Sequence, residues 1–276
     1  MPAAEAPGPH RLAVWGDPIA HSKSPALHAA AYRVLGLDWE YDRRQVNADE
    51  LPTSLAGLDA SWRGLSLTMP LKEQAFRAAA VHDRHATLTG AVNTLLLDGR
   101  PAGFNTDVGG IVDALADDGM AAATSVRILG SGATAASALV AAAELGAERA
   151  DVRARRPERG AALVDLGAEL GMTVSVGSFD AALTPVDLTL ATLPSGTTLP
   201  AEIVGALAAD GGVLFDAAYA PWPSALATGW GDAPVVSGLG MLLHQAIRQI
   251  RVFLHGDPAR VLDDEASVLA AMRATL

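Results

Sequence analysis

Val126-Arg127-Ile128-Leu129-Gly130-Ser131-Gly132-Ala133-Thr134-Ala135 reads as an apolar strand that runs into a glycine turn and then an alanine-rich helix. The helix extends to Leu145-Gly146, and a second strand follows at Ala150-Asp151-Val152-Arg153. The stretch predicts a βαβ unit with G-x-G-x-x-A at its first turn. Gly130, Gly132, Ala133 and Ala135 are small enough for a tight turn and for close approach to a pyrophosphate seated on the helix N-terminus. The competing reading is a tight strand-to-helix turn and nothing more. Just past the second strand stand Arg155, Arg156 and Arg159. An NAD site usually offers a carboxylate there to the ribose 2′-hydroxyl, whereas arginines suit a 2′-phosphate, so NADP is favoured. A solvated basic turn is the alternative, and Asp151 is a further candidate for the ribose contact. Strands are also expected at 173–176, 188–191, 213–215 and 235–236, making residues 108–238 a Rossmann-like, doubly wound dinucleotide domain.

Upstream, strand and helix alternate again. Leu12-Ala13-Val14-Trp15 is a strand ending at Gly16, and Ser24 reads as the N-cap and Pro25 as the first residue of a helix that stops at Gly36. Residues 39–46 alternate like a strand, 49–58 read as a helix, and 62–68 as a strand cut by Pro70, which opens a helix carrying Lys72. Residues 91–97 and 101–104 form a hairpin about Asp98-Gly99, and a helix follows over 108–118. The last two helices begin near Leu239 and Pro258. The fold class is therefore α/β in two domains, with a mainly parallel sheet in the N-terminal one. Residues 1–107 with 239–276 form the substrate-binding catalytic domain. A cleft between the domains is expected, closing over its ligands about Gly238 and Gly240.

The chain has only two lysines, Lys23 and Lys72, among 20 basic residues. An amine can be tuned to gain and lose a proton where a guanidinium cannot, so a lysine in such a chain marks possible chemistry. Ser22, Ser24, Thr68, Lys72, Asn93 and Asp107 each fall at or just past a predicted strand end, the side of an open parallel sheet that faces ligand. Hydroxyls and amides there suit a polyhydroxylated ligand. Each also has a plainer role: Ser24 or Asp107 as a helix cap, Thr68 as a sheet residue.

Bulk composition narrows the rest. Half of the 276 residues are hydrophobic, enough for packed cores, and no apolar run reaches membrane-spanning length. The net charge of −11 disfavours nucleic acid as a partner. There is no cysteine, hence no thiolate chemistry and no disulfide. His82 and His85 would share a helix face but lack a third ligand nearby, so no metal is expected. Residues 1–11 show no signal pattern, and the first ten are expected to be disordered. A cytoplasmic protein, monomer or homodimer, with no membrane partner, fits.

Taken together, the motifs resemble the shikimate dehydrogenase family over nearly the whole chain. They are Gly16-Asp17-Pro18-Ile19-Ala20-His21-Ser22-Lys23-Ser24-Pro25, Thr68-Met69-Pro70-Leu71-Lys72, Gly90-Ala91-Val92-Asn93-Thr94, Asn105-Thr106-Asp107, the turn at Gly130, and Gly238-Leu239-Gly240-Met241-Leu242-Leu243-His244-Gln245-Ala246. The resemblance implies reduction of 3-dehydroshikimate to shikimate with NADPH, in the pathway to aromatic amino acids. It implies that Ser22 and Ser24 hold the substrate carboxylate. Thr68, Asn93, Gln245 and Tyr219 would contact substrate, and Lys72 with Asp107 would form the catalytic pair. Gly238 and Met241 would border the nicotinamide, and Arg155 and Arg159 would flank the adenosine phosphate. The sequence departs from the family at Ser66, where many members carry a longer asparagine that meets substrate, and at Ala154-Arg155-Arg156, where Asn-Arg-Thr is usual. The alternatives are a quinate/shikimate dehydrogenase using NAD, and a ligand sensor on the same fold without catalysis.

Overall fold

The computed structural model describes residues 10–276. The expected disorder of the chain's start falls, through Pro9, outside them. The chain divides into two compact units, one running through Thr106 and resuming at Ala246–Leu276, the other Asp107–Gln245.

The first unit contains β1 (Arg11–Gly16), α1 (Ser24–Leu35), β2 (Glu40–Gln45), α2 (Leu51–Ala56), β3 (Trp62–Leu67), α3 (Lys72–Ala78), β4 (Val81–His82), α4 (Arg84–Thr89), β5 (Thr94–Leu96) and β6 (Ala102–Phe104). Its sheet has the order β2-β1-β3-β5-β6-β4. β1 pairs parallel with both β2 and β3, while β5 is antiparallel to β3 and to β6. This arrangement brings the ends of β1, β3 and β6 and the start of β5 to one edge: Trp15 stands beside Leu67, Ser66 beside Thr94, and Thr94 beside Phe104. Trp15, Leu65, Leu67, Leu71, Ala75 and Leu95 form the core beneath. Gly64 lies where a Cβ would come within 2.6 Å of both the Phe253 ring and the Leu95 carbonyl.

Some expectations needed correction. α2 is shorter than the helix read over 49–58, and β4 and α4 were not anticipated. His82 lies in β4 and His85 in α4, so they do not share a helix face. Ser24 is not a cap: α1 begins at Ser24 itself, with Lys23 in the capping position and no side-chain cap bond. The Leu27 N–H instead closes the first turn on the Lys23 carbonyl at 3.2 Å.

The second unit contains α5 (Asp107–Asp117), β7 (Ser125–Leu129), α6 (Ala133–Glu144), β8 (Arg149–Arg153), α7 (Ala161–Glu169), β9 (Thr173–Gly177), β10 (Leu188–Ala191), α8 (Ala201–Ala209), β11 (Val213–Asp216), α9 (Ala225–Thr228) and β12 (Val235–Ser237). The order β12-β11-β10-β7-β8-β9 is parallel throughout. It reverses between β7 and β10, which creates a crevice outside their carboxyl ends. α10 (Gly238–His255) begins in this unit and finishes in the first. α11 (Glu265–Arg273) follows, later than the start expected near Pro258. There Asp257 accepts the Ala259 N–H at 2.8 Å and Arg251 holds the Pro258 carbonyl at 3.0 Å, which pins the segment as a turn.

Two buried arginines share one carboxylate under this sheet. Arg127 Nε donates to Asp151 Oδ2 at 3.0 Å and Arg153 Nε to Oδ1 at 2.7 Å. The remaining guanidinium groups bond carbonyls: Arg127 that of Thr184, Arg153 those of Ser178 and Ala182. Asp151 therefore cannot be the ribose contact: it lies opposite Arg127 within the strand, and both its oxygens are taken. Removing the charge in Asp151→Asn leaves two buried guanidinium ions uncompensated and should cost roughly 3–5 kcal/mol in urea unfolding. Asp98→Asn, at the exposed pair with Arg63, should change stability by less than about 1 kcal/mol.

Candidate functional site

In the first unit, the loop after β1 carries Ser22 and Ser24. The Ser24 N–H donates to Ser22 Oγ at 3.3 Å, so the two hydroxyls share one turn. β2 braces this loop from the side. Arg43 donates to the Ala20 carbonyl at 2.6 Å and to that of Ser22 at 3.4 Å, and Gln45 donates to Asp17 at 2.8 Å. Thr68 follows β3 and donates its N–H to the Trp15 carbonyl at 2.9 Å. Its methyl lies over Gly16, where a Cβ would approach to 2.4 Å. Lys72 opens α3, half-buried, and its carbonyl accepts the Val92 N–H at 2.9 Å, anchoring it beside Asn93.

Asn93 is buried and bonded through both ends of its amide. Its Nδ2 donates to Thr106 Oγ1 at 2.9 Å, and its Oδ1 accepts from the Thr106 N–H and the Thr94 hydroxyl, each at 2.9 Å. This clamp fixes the chain immediately before Asp107. Ser66 is equally committed. Tyr41 donates to its Oγ at 2.6 Å, and it donates to Gln249 Oε1 at 2.7 Å. Gln249 Nε2 bonds the Asn93 carbonyl at 3.3 Å, and His28 Nε2 meets Gln249 Oε1 at 3.3 Å. Burial holds the His28 imidazole down to about 3, against the opposing pull of its bond to Gln249. Burial likewise pushes the Tyr41 phenol well up, its bond to Ser66 opposing. His28 is thus neutral, with Nε2 donating to Gln249 and Nδ1 accepting from Tyr32 at 3.0 Å.

In the second unit, the ends of β7, β8, β11 and β12 carry the predicted cofactor and tyrosine positions. Gly130 adopts φ 117° and leaves no room for a Cβ, which would sit 2.6 Å from Thr192 Oγ1 at the end of β10. Gly132 occupies the N-cap of α6 with no side-chain cap, and nothing lies within 4 Å of where its Cβ would be. The 12-residue helix α6 thus starts at an uncapped, unobstructed glycine, while the Ala135 and Ala136 N–H groups close on the Gly132 carbonyl at 2.9 and 3.1 Å; an open helix N-terminus is the arrangement a pyrophosphate fits. Arg155, Arg156 and Arg159 are exposed past β8, with no ion pair among the described residues. The residues present fit an NADP-type dinucleotide.

Asp216, ending β11, accepts the Ala218 N–H at 3.0 Å and the Ser224 hydroxyl at 2.5 Å. Burial raises its pKa against both bonds. It thereby shapes the loop that carries Tyr219. Gly238 starts α10 where a Cβ would lie 2.2 Å from the Ala217 carbonyl. Met241 and Gln245 follow on α10, and Gln245 bonds the Leu242 carbonyl at 3.0 Å. Gly110 of α5 lets Asp107's helix close on them, since a Cβ there would meet Gln245 at 2.9 Å.

The structure thus gathers Ser22, Ser24, Ser66, Thr68, Lys72 and Asn93 at one sheet edge of the first unit, and assigns Asp107, Tyr219, Gln245 and the cofactor positions to the second. Tyr41, His28, Gln249 and Asp216 were not singled out in the sequence. Alternation of Tyr41, Arg43 and Gln45 along β2, and the helical spacing of Gln249 from Gln245, were the available signals. Among the described residues no group of three His, Cys, Asp or Glu side chains is placed to hold a metal, and no helix is long and apolar enough to cross a membrane.

Comparison with known proteins agrees with this geometry. Residues 14–95 match the family profile described as shikimate dehydrogenase substrate binding domain. The chain is 35% identical over 263 residues to a protein of Methanothermobacter thermautotrophicus named shikimate dehydrogenase (NADP(+)), covering 90% of this chain and 92% of that one. Its fold superposes on the crystal structure of Mycobacterium tuberculosis shikimate dehydrogenase with a TM-score of 0.80 and 41% identity, covering 96% of this chain and 100% of that one. It also superposes on the Thermus thermophilus shikimate 5-dehydrogenase in complex with NADP(H) and shikimate, with a TM-score of 0.77 and 30% identity, over 97% of this chain and 100% of that one.

The neutral His28 makes a prediction about pH. Its folded-state pKa lies below the usual 6.5, so its contribution to stability is complete above about pH 6.5 and is lost as pH falls toward 3. Urea unfolding between pH 6.5 and 4 should show stability falling with a His28 share of up to about 1.4 kcal/mol per pH unit. His28→Gln should remove that share, and an unchanged slope would contradict it.

Proposed function

The chain belongs to the shikimate dehydrogenase family, and we propose on that premise how its residues divide the labour of an NADP-linked reduction. The protein is an NADP-dependent oxidoreductase that reduces 3-dehydroshikimate to shikimate, reversibly. The observation that carries the assignment of roles is the convergence of Ser22, Ser24, Thr68, Lys72 and Asn93 on one sheet edge. Residues 1–107 with 239–276 take the substrate, and 108–238 take the dinucleotide. A cytoplasmic location and a monomer or homodimer are part of the same reading.

The substrate is a carboxylate with ring hydroxyls. Ser22 and Ser24 donate to the carboxylate. Thr68, Asn93, Gln245 and Tyr219 contact the substrate around the ring. Ser66 has spent its proton on Gln249, so it can offer a ligand only a lone pair. Gly130, Gly132 and the α6 N-terminus hold the pyrophosphate, Arg155, Arg156 and Arg159 the 2′-phosphate, and Gly238 and Met241 border the nicotinamide. NADPH, when bound, supplies the hydride for the C3 carbonyl. Lys72, protonated, gives its proton to the oxygen as the carbonyl becomes an alcohol, and Asp107 orients the amine. In the reverse direction the same amine takes the proton back.

Initial rates of NADP⁺ reduction with shikimate, with quinate and NAD⁺ substituted in parallel, test this reading. Turnover should be fastest by far with shikimate and NADP⁺. Preference for quinate or NAD⁺ would move the chain to a quinate-using branch, and shikimate binding without turnover in any combination would make it a sensor. Lys72→Ala should lower kcat by about 10²- to 10⁴-fold. Near-normal kcat with only a raised KM would reduce Lys72 to a substrate contact.

A further inference from the structure

Two cations tie the loop between β1 and α1 to the elements around it. Arg43 of β2 donates Nη1 to the Ala20 carbonyl at 2.6 Å and to the Ser22 carbonyl at 3.4 Å. Lys23, half-buried between the two serines, donates Nζ to the main-chain oxygen of Leu276 at 3.1 Å. That oxygen is a fixed target. Past α11 the Thr275 N–H bonds the Met272 carbonyl at 3.0 Å and the Leu276 N–H that of Arg273 at 3.2 Å, so the closing turn runs on to Leu276. The carbonyl end of a helix is its negative pole and favours a cation. α11 itself packs on α1, the helix that Ser24 opens. The entry to the loop is held as well: the Asp17 N–H bonds the Met69 carbonyl at 2.9 Å, and its carboxylate accepts from Gln45 at 2.8 Å.

We propose that Arg43 and Lys23 are substrate-positioning residues: one bonding the Ala20 and Ser22 carbonyls, the other the Leu276 main-chain oxygen, they hold the Ser22–Ser24 turn in the shape that receives the substrate carboxylate. The inference rests on the proposed role of the two serines. Within the turn, Ser22 Oγ accepts the Ser24 N–H at 3.3 Å. A hydroxyl that accepts there still has its own proton to give, which is what a carboxylate needs. Where that proton can point is set by the backbone of residues 20–24, the stretch that the two cations restrain. A backbone ordered before the ligand arrives does not lose that freedom on binding. The division between the two cations follows their shapes. A guanidinium presents several donors in a fixed fork, which suits a bridge between two carbonyls, whereas an ammonium on a flexible stem suits one distant oxygen. Lys23, one of only two lysines, is on this reading a tether and not a proton carrier.

The test is Arg43→Met, Lys23→Met and the double variant. Arg33→Met, which removes an exposed charge from the far end of α1, is the control for lost positive charge. Steady-state kinetics and calorimetric titration of shikimate are run at about 0.05 M and about 0.5 M NaCl, the second of which screens charges more than a few ångströms apart. Each single variant should raise the KM and Kd for shikimate about three- to tenfold at both salt concentrations, with kcat within about twofold and the KM for NADP⁺ unchanged. Because both cations act on one loop, the double variant should fall short of the product of the two single effects. Arg33→Met should leave the shikimate constants unchanged. Wild-type shikimate constants in the single variants, with only a lowered Tm, would overturn the proposal. So would effects that multiply in the double variant or vanish in high salt, since the two charges would then act on the anion through space and not through the loop. Because binding is read directly, the proposal stands apart from turnover. Weaker shikimate binding by the variants of a protein that binds shikimate without turnover would support it while refuting the catalytic reading. A wild type that neither binds nor oxidises shikimate would overturn both.

Discussion

One amide of α10 organises the substrate unit. Gln249 accepts from Ser66 of β3 and His28 of α1 and donates to the carbonyl that precedes β5. A buried polar group without partners costs about 1–3 kcal/mol. The cheapest state is therefore the one in which all of these are satisfied at once, and that state fixes α1, β3, β5 and the end of α10 against each other. The serine loop, Thr68 and Asn93 hang from those same elements. The geometry of this sheet edge is a by-product of core satisfaction.

The dinucleotide unit solves a different problem. Arginine dominates the basic residues of an acidic chain, and two arginines are spent inside, sharing Asp151 and capping loop carbonyls. Those bonds tie β7 and β8 to the segments before β10 and so support the sheet whose upper edge carries the glycine turn. Arg155, Arg156 and Arg159 stand past β8 in solvent. The same residue type is thus structural within a strand and exposed to solvent just beyond it, a distinction set by position along β8.

Much of this was readable beforehand, for physical reasons. The βαβ turn at Gly130 was evident because a strand, a small-residue turn and a helix leave a contiguous pattern. β10 coincides with the strand expected at 188–191, a run too short for a helix and bounded by turn residues. What could not be read depended on partners distant in sequence. Ser24 reads as a cap because serine before proline usually is one, but the first turn closes on the Lys23 carbonyl, one residue earlier. Asp151 looked available because nothing local shows that Arg127, across the sheet, claims it. β4 and α4 are too short for periodicity to declare them, and α11 starts late because Asp257 and Arg251 hold the intervening turn. Tyr41 itself sits in a polar edge strand, where alternation is visible but its target is not.

A crystal structure of the protein with shikimate and NADP⁺ bound would test the division of roles most directly. The shikimate carboxylate should lie on the Ser22 and Ser24 hydroxyls, with Tyr41 still bonded to Ser66. The Lys72 amine should meet the C3 oxygen, and the adenosine 2′-phosphate should sit among Arg155, Arg156 and Arg159. A carboxylate held by other groups, or a Lys72 amine away from the C3 oxygen, would contradict it.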